Sequence, residues 1–168
     1  MATELQTLLA SLGNGKSQFP LIAQQNGRFP GIQLFDASAF RQCRLTAEAH
    51  AGLLLYAGFG QESHAVSQQI SSREGSYWHG IYHRLEADDA NASYWLRRVG
   101  PHEIGPSLLT AARAAGWNPG RNWDHTRFVD FVSEARTASS ASTRILAEKI
   151  QFIEWQLLFD FCAKDSNE

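Results

Sequence analysis

The sequence predicts an all-α protein, a compact bundle of about seven to nine helices. Apolar residues recur at helical spacing along most of its length, from Leu5, Leu8, Leu9 and Leu12 to Leu146, Ile150, Ile153 and Leu157. Capping and stopping residues punctuate those runs at helix-sized intervals. No segment of useful length alternates with period two, and no glycine-rich strand-turn-helix motif occurs, which argues against a parallel sheet with a nucleotide site.

The first helix is expected over residues 3–12, ended by Gly13. Residues 14–35 carry glycines, Pro20 and Pro30 among scattered apolar side chains, and read as an irregular N-terminal arm lying over the helical body. Asp36 can cap a short helix to about residue 42, and Thr46 opens another through Leu53, Leu54 and Leu55 that Gly58 and Gly60 stop. A short helix carries ESHAVSQQI. Ser71 and Glu74 then stand at capping-box spacing before GSYWHGIYHRLE. Asp88 or Asp89 caps the helix containing NASYWLRRV, which Gly100 and Pro101 end. Pro106 starts a helix closed by Gly116, and Asp124 caps one containing Phe128, Val129, Phe131 and Val132. The last helix is the longest. It is apolar most of the way round, as a central core helix reads.

At 168 residues the chain suits a single domain, 1–168, large enough to bury a core without metals or disulfides. A net charge of -2, with no basic cluster larger than the pair Arg97 and Arg98, lacks the footprint of a nucleic-acid binder. Two cysteines, Cys43 and Cys162, lie far apart and outside any CxxC spacing, so neither a disulfide scaffold nor a thiolate zinc site is indicated. With no secretory pattern at the N-terminus and no apolar run of about 20 residues, the expectation is a cytoplasmic protein without a membrane partner.

Two stretches repeat a pattern. LLLYAGFGQESHAVSQQI around Tyr56 and HGIYHRLEADDANASYWLRRV around Tyr82 each place a tyrosine helix before a helix opening with alanine. Both resemble the helical hairpin of tetratricopeptide-type repeats, with Ala65 and Ala92 at that family's small packing position. Their spacing is 27 residues rather than the family's 34. The run ESH, SQ, GSYWHGIYHR, E, D, NA, YW and RRVG, with His102 beyond, also resembles the signature of an uncharacterised family of helical proteins in bacteria and fungi. That likeness covers residues 62–102 and marks them as the candidate functional core. It implies no chemistry.

Those residues hold four of the six histidines, His64, His79, His83 and His102, together with Trp78, Trp95, Arg97, Arg98 and several carboxylates. On a helix, His79, His83 and Glu86 fall within about 60° of one another. Two imidazoles one turn apart plus a carboxylate can bind a divalent metal if another helix supplies a further ligand, with His64, Glu62 or His102 as candidates. The spacing is not HExxH, and the glutamate that would act as its general base is missing. The same residues equally fit the polar flank of a helix whose buried stripe is Trp78, Ile81 and Leu85.

Asn91, Tyr94 and Arg98 share a face of the next helix, where they can hold a carboxylate, phosphate or sugar hydroxyl. Arg98 pairing with Glu86 or Asp88 is the structural alternative. Facing apolar stripes would send the two polar trios out on opposite sides, whereas stripes turned to a third layer leave one trio facing its partner helix. Either way a pocket needs His64, His102, the arm or another chain. The ligand candidates are therefore His64, Trp78, His79, His83, Asn91, Tyr94, Arg98 and His102, and the metal candidates His79, His83 and Glu86.

Catalysis is left open. There is no GxSxG elbow, P-loop or GxGxxG, and neither cysteine has a neighbouring histidine. His50 and His125 read as ordinary helix-surface or cap-region histidines. The expected function is a domain binding a small ligand or a divalent metal, with enzyme activity undecided. The alternative is a tetratricopeptide-like module that binds a protein or a second copy of itself.

Overall fold

The computed structural model describes residues 45–164, the Lys164 side chain excepted. The expected first helix, the arm at 14–35, the helix from Asp36 and Cys43 lie outside them. The described residues form seven helices and no strand: α1 (Ala47–Tyr56), α2 (Gly60–Ser67), α3 (Arg73–Leu85), α4 (Asp89–Val99), α5 (Gly105–Ala115), α6 (His125–Thr137) and α7 (Ala141–Lys164). None is long and apolar enough to cross a membrane.

Local chemistry sets most of the ends. Thr46 caps α1 by accepting from the Ala49 amide at 3.1 Å. Asp88 does the same for α4 through Asn91 at 3.1 Å, and Asp124 accepts from Thr126 and Arg127 at the start of α6. Gly116 ends α5 in the left-handed region at φ 109°, where a glycine costs least. At α3 the cap differs from the expected Ser71 and Glu74 box. Ser72 caps the helix by accepting from Gly75 at 3.2 Å, while Glu74 turns to His102 instead.

Helices α3 and α4 are joined by three residues and pack along each other, with α2 against α3. One apolar cluster gathers α1, α3, α4 and the C-terminal half of α7 around Trp78, Tyr56 and Trp155. A second gathers α5, α6 and the N-terminal half of α7 around Phe128, Leu108 and Ile150. Spanning about 36 Å, α7 joins the two.

The helix at the centre is α3, not α7. Every residue from Gly75 to Leu85 is buried, histidines and Arg84 included, whereas Leu146, Ile153, Leu157 and Phe161 of α7 stay partly exposed. The buried face of α7 carries Gln151 and Glu154 among its apolar residues. Glu154 neutralises the fully buried Arg84, and Gln151 accepts a hydrogen bond from it. Its Nε donates to Gln151 Oε1 at 2.7 Å, and its Nη2 donates to Glu154. The Tyr77 hydroxyl donates to the other Glu154 oxygen at 3.0 Å, and the guanidinium lies 4.6 Å from the Phe128 ring centre. Hydropathy reads such a stripe as polar. Paired charge lets it be core.

Candidate metal centre

Helix α2 contributes His64, and α3 contributes His79 and His83. Glycines allow close approach on two sides of α3, to α4 at Gly80 and to α2 at Gly60. A Cβ on Gly80 would stand 2.6 Å from Leu96 Cγ, so only glycine admits α4 this close to α3. A Cβ on Gly60 would crowd the Tyr82 ring at 3.2 Å, and that ring stacks on His64 with centroids 4.7 Å apart.

The imidazoles present one edge to one another. His79 Nε2 lies 3.1 Å from His64 Nε2 and 3.0 Å from His83 Nε2. These three are the one group among the described residues whose ligand atoms gather as for a metal ion, all within 4.8 Å. Nitrogens bound about 2.1 Å from one ion at angles of roughly 90–110° are themselves about 3.0–3.4 Å apart; the two separations from His79 Nε2 match this, while His64 and His83, within 4.8 Å, would have to draw closer around an ion.

Neighbouring groups hold the rings. His79 stacks on Trp95 with centroids 4.2 Å apart and planes 19° apart. Glu86 Oε2 sits 3.3 Å from His83 Nδ1, which favours a proton on Nδ1 and leaves the Nε2 lone pair facing the other rings. Glu86 is itself anchored by the Tyr82 hydroxyl at 2.6 Å, to which Gln61 donates at 2.8 Å. The Asn91 amide lies 3.2 Å from His83 Nε2.

Burial, then the charges that His64 and His83 would carry, hold the His79 pKa down at about 4. Burial and His64 also lower that of His83, although Glu86 and Asp88 pull it back up. At neutral pH both rings are uncharged, the state that binds a metal.

Of the residues expected from sequence, His64, His79, His83 and Asn91 thus come together, and Glu86 stands behind His83 rather than beside the converging nitrogens. His79 and His83 face α4 through Trp95 and Asn91, whereas Glu86, just past the end of α3, is exposed. Tyr94 is half exposed on the outer side of α4. Arg98 shows no ion pair with Glu86 or Asp88 and lies 5.2 Å from the Trp95 ring centre, tied to His79 only through that ring.

Trp78 is elsewhere. It is fully buried against Gly52 of α1, where an added Cβ would stand 2.5 Å from the indole. His102 is elsewhere too. It contacts Glu74 at 3.1 Å, accepts from the Ile104 amide at 3.3 Å and packs on Tyr77 and Phe161. Arg73 donates to the Val99 carbonyl at 2.9 Å and to that of Pro101, so these contacts clamp the start of α3 to the end of α4. Glu62 is exposed. Ala92 is buried in the α3–α4 interface, whereas Ala65 is exposed and packs no hairpin, so the repeat pattern does not extend to α2 in packing terms.

Sequence reasoning missed Trp95 as the platform for His79, the Tyr82 and Gln61 contacts that anchor Glu86, and the Arg84–Glu154 pair. A signal existed for the last: Glu154 stands four residues from both Ile150 and Leu158, inside an apolar stripe. No known family model matches the chain, and neither a curated protein nor a solved structure is similar to it.

Proposed function

We propose that the protein binds a divalent metal ion through His64, His79 and His83, with Glu86 orienting His83 from behind. The observation that carries this reading is the approach of His79 Nε2 to two other Nε2 atoms at 3.0 and 3.1 Å. A neutral imidazole nitrogen carries either one hydrogen or one lone pair, so it cannot form two good hydrogen bonds at once. Protonating the rings would put like charges in contact. A cation set among three lone pairs satisfies all of them. His79 Nδ1 is buried without a hydrogen-bond partner, so this ring lacks the outer contact that Glu86 gives His83 and is placed by its stacking on Trp95. Zinc suits three imidazoles best, with manganese and iron as competitors.

The interaction-module reading draws less support. Among the described residues the exposed large apolar side chains are Tyr94 and Ile145, on different helices, and make no patch.

The test is calorimetry with Zn²⁺ and Co²⁺ on untagged, chelator-treated protein, followed by metal analysis after dialysis. One ion per chain is expected. His79→Ala and His83→Ala should each weaken binding by more than the about 10–100-fold that an outer-shell contact costs. His102→Gln should leave it intact. Absence of stoichiometric binding, or equal losses in all three variants, overturns the reading.

A further inference from the structure

Three neutral imidazoles leave both charges of a divalent ion uncompensated and, in a tetrahedral ion, one position unfilled. Among the described residues no fourth His, Cys, Asp or Glu joins the group. The nearby acids are committed otherwise. Glu86 faces His83 Nδ1 and accepts from Tyr82, and Asp88 caps α4. Glu62, two residues before His64 and so about 200° round the helix, is exposed. His64 is only half buried, so the centre borders solvent.

One polar group does reach the converging nitrogens. Asn91 is half buried, its amide nitrogen lies 3.2 and 3.4 Å from the two nitrogens of His83, and His83 is its hydrogen-bond partner among the described side chains. Oxygen and nitrogen of an amide exchange places by a simple flip, so Asn91 can donate to an anion beside His83 or accept from a bound water.

Building on the metal reading, we propose that the fourth coordination position is exchangeable, held by water or hydroxide at rest, and takes a small carboxylate anion as ligand, steadied by the Asn91 amide. The charge balance selects an anion: without one, a partly buried centre keeps two positive charges, relieved only at a distance by Glu86. An ion held there would lower the pKa of a water in that position to roughly 7, so water and hydroxide would share it at neutral pH. A closed structural centre would instead hold four protein ligands.

The test uses the full-length Co²⁺-loaded protein, whose visible absorption reports the ion's coordination, titrated with acetate against chloride at constant ionic strength. A saturable, one-to-one change of the Co²⁺ bands is expected. Asn91→Ala should weaken acetate about tenfold, the loss of one hydrogen bond to a charged group, and weaken Co²⁺ itself less. If Co²⁺ binds and its bands ignore acetate, the centre is closed and the proposal fails while the metal reading stands. If acetate binds equally well to the Asn91→Ala protein, the role given to Asn91 fails. If Co²⁺ does not bind, the metal reading falls and takes this proposal with it.

Discussion

Truncating Glu154 to alanine should destabilise the fold by about 3–5 kcal/mol, the usual cost of stranding one member of a buried ion pair. The magnitude follows from the surroundings. Arg84 and Glu154 are both fully buried, so no water replaces the lost carboxylate. Arg84 Nη1 already lacks a hydrogen-bond partner, which leaves Gln151 and the face of Phe128 as the remaining company of a guanidinium that cannot deprotonate. Tyr77 loses its acceptor as well. For a chain of this size the midpoint of thermal unfolding should drop by roughly 6–20 °C.

Urea denaturation followed by tryptophan fluorescence measures this directly, and a cycle with Arg84→Met and the double variant Arg84→Met/Glu154→Leu separates pairing from packing. Both singles should be severe, and the double should cost less than either, because an apolar pair of similar volume strands no charge. A loss below about 1 kcal/mol for Glu154→Ala, or singles that simply add, would refute the idea that the α3–α7 contact is organised around a desolvated charge pair.

Three further outcomes are expected. Gly52→Ala should destabilise by about 1–3 kcal/mol although alanine is the better helix former, since its Cβ would stand 2.5 Å from the Trp78 indole; a thermal melt showing stabilisation would remove Trp78 from that contact. Asp124→Ala should cost about 1 kcal/mol by uncapping α6, where Asp124 accepts from Thr126 at 2.9 Å and Arg127 at 3.1 Å, and unchanged urea denaturation would show the cap to be idle. Burial holds His125 below its ordinary pKa, with Arg84 and His102 opposing its charge and Glu154 and the Gly100 carbonyl favouring it. Protons therefore prefer the unfolded state between the lowered value and about 6.5, so stability is full above that pH and falls as the solution is acidified through the window. His125→Asn should make this acid slope shallower, and an unaltered slope in urea midpoints would exclude the contribution.

Helix type and most helix ends were readable because they are local. Thr46, Asp88, Asp124 and Gly116 act on backbone groups within a few residues of themselves, so their chemistry is visible in the chain order. The α3 cap shows the limit. Ser71 and Glu74 have capping-box spacing, but Glu74 is drawn to His102, 28 residues away, and Ser72 takes the amide instead.

The pairing of His79 and His83 was equally local, since a separation of four residues puts them on one helical face. That Glu86 stands at the Nδ1 edge of His83 rather than among the ligands was not readable, because it depends on side-chain torsions and on Tyr82. Nor was the identity of the third imidazole. His64 and His102 were equal candidates by composition, and they separate only once α2 packs on α3 while the end of α4 folds back over Glu74.

The chain order alone thus determined the helices of residues 45–164 and a helix face carrying two histidines, since hydrogen-bonded turns and helical periodicity depend on neighbours a few residues apart. Tertiary structure decided which helix is central and which imidazole completes the cluster. Both depend on contacts between segments distant in sequence: Arg84 with Glu154 across 70 residues, and His64 with His79 through the close approach of α2 and α3.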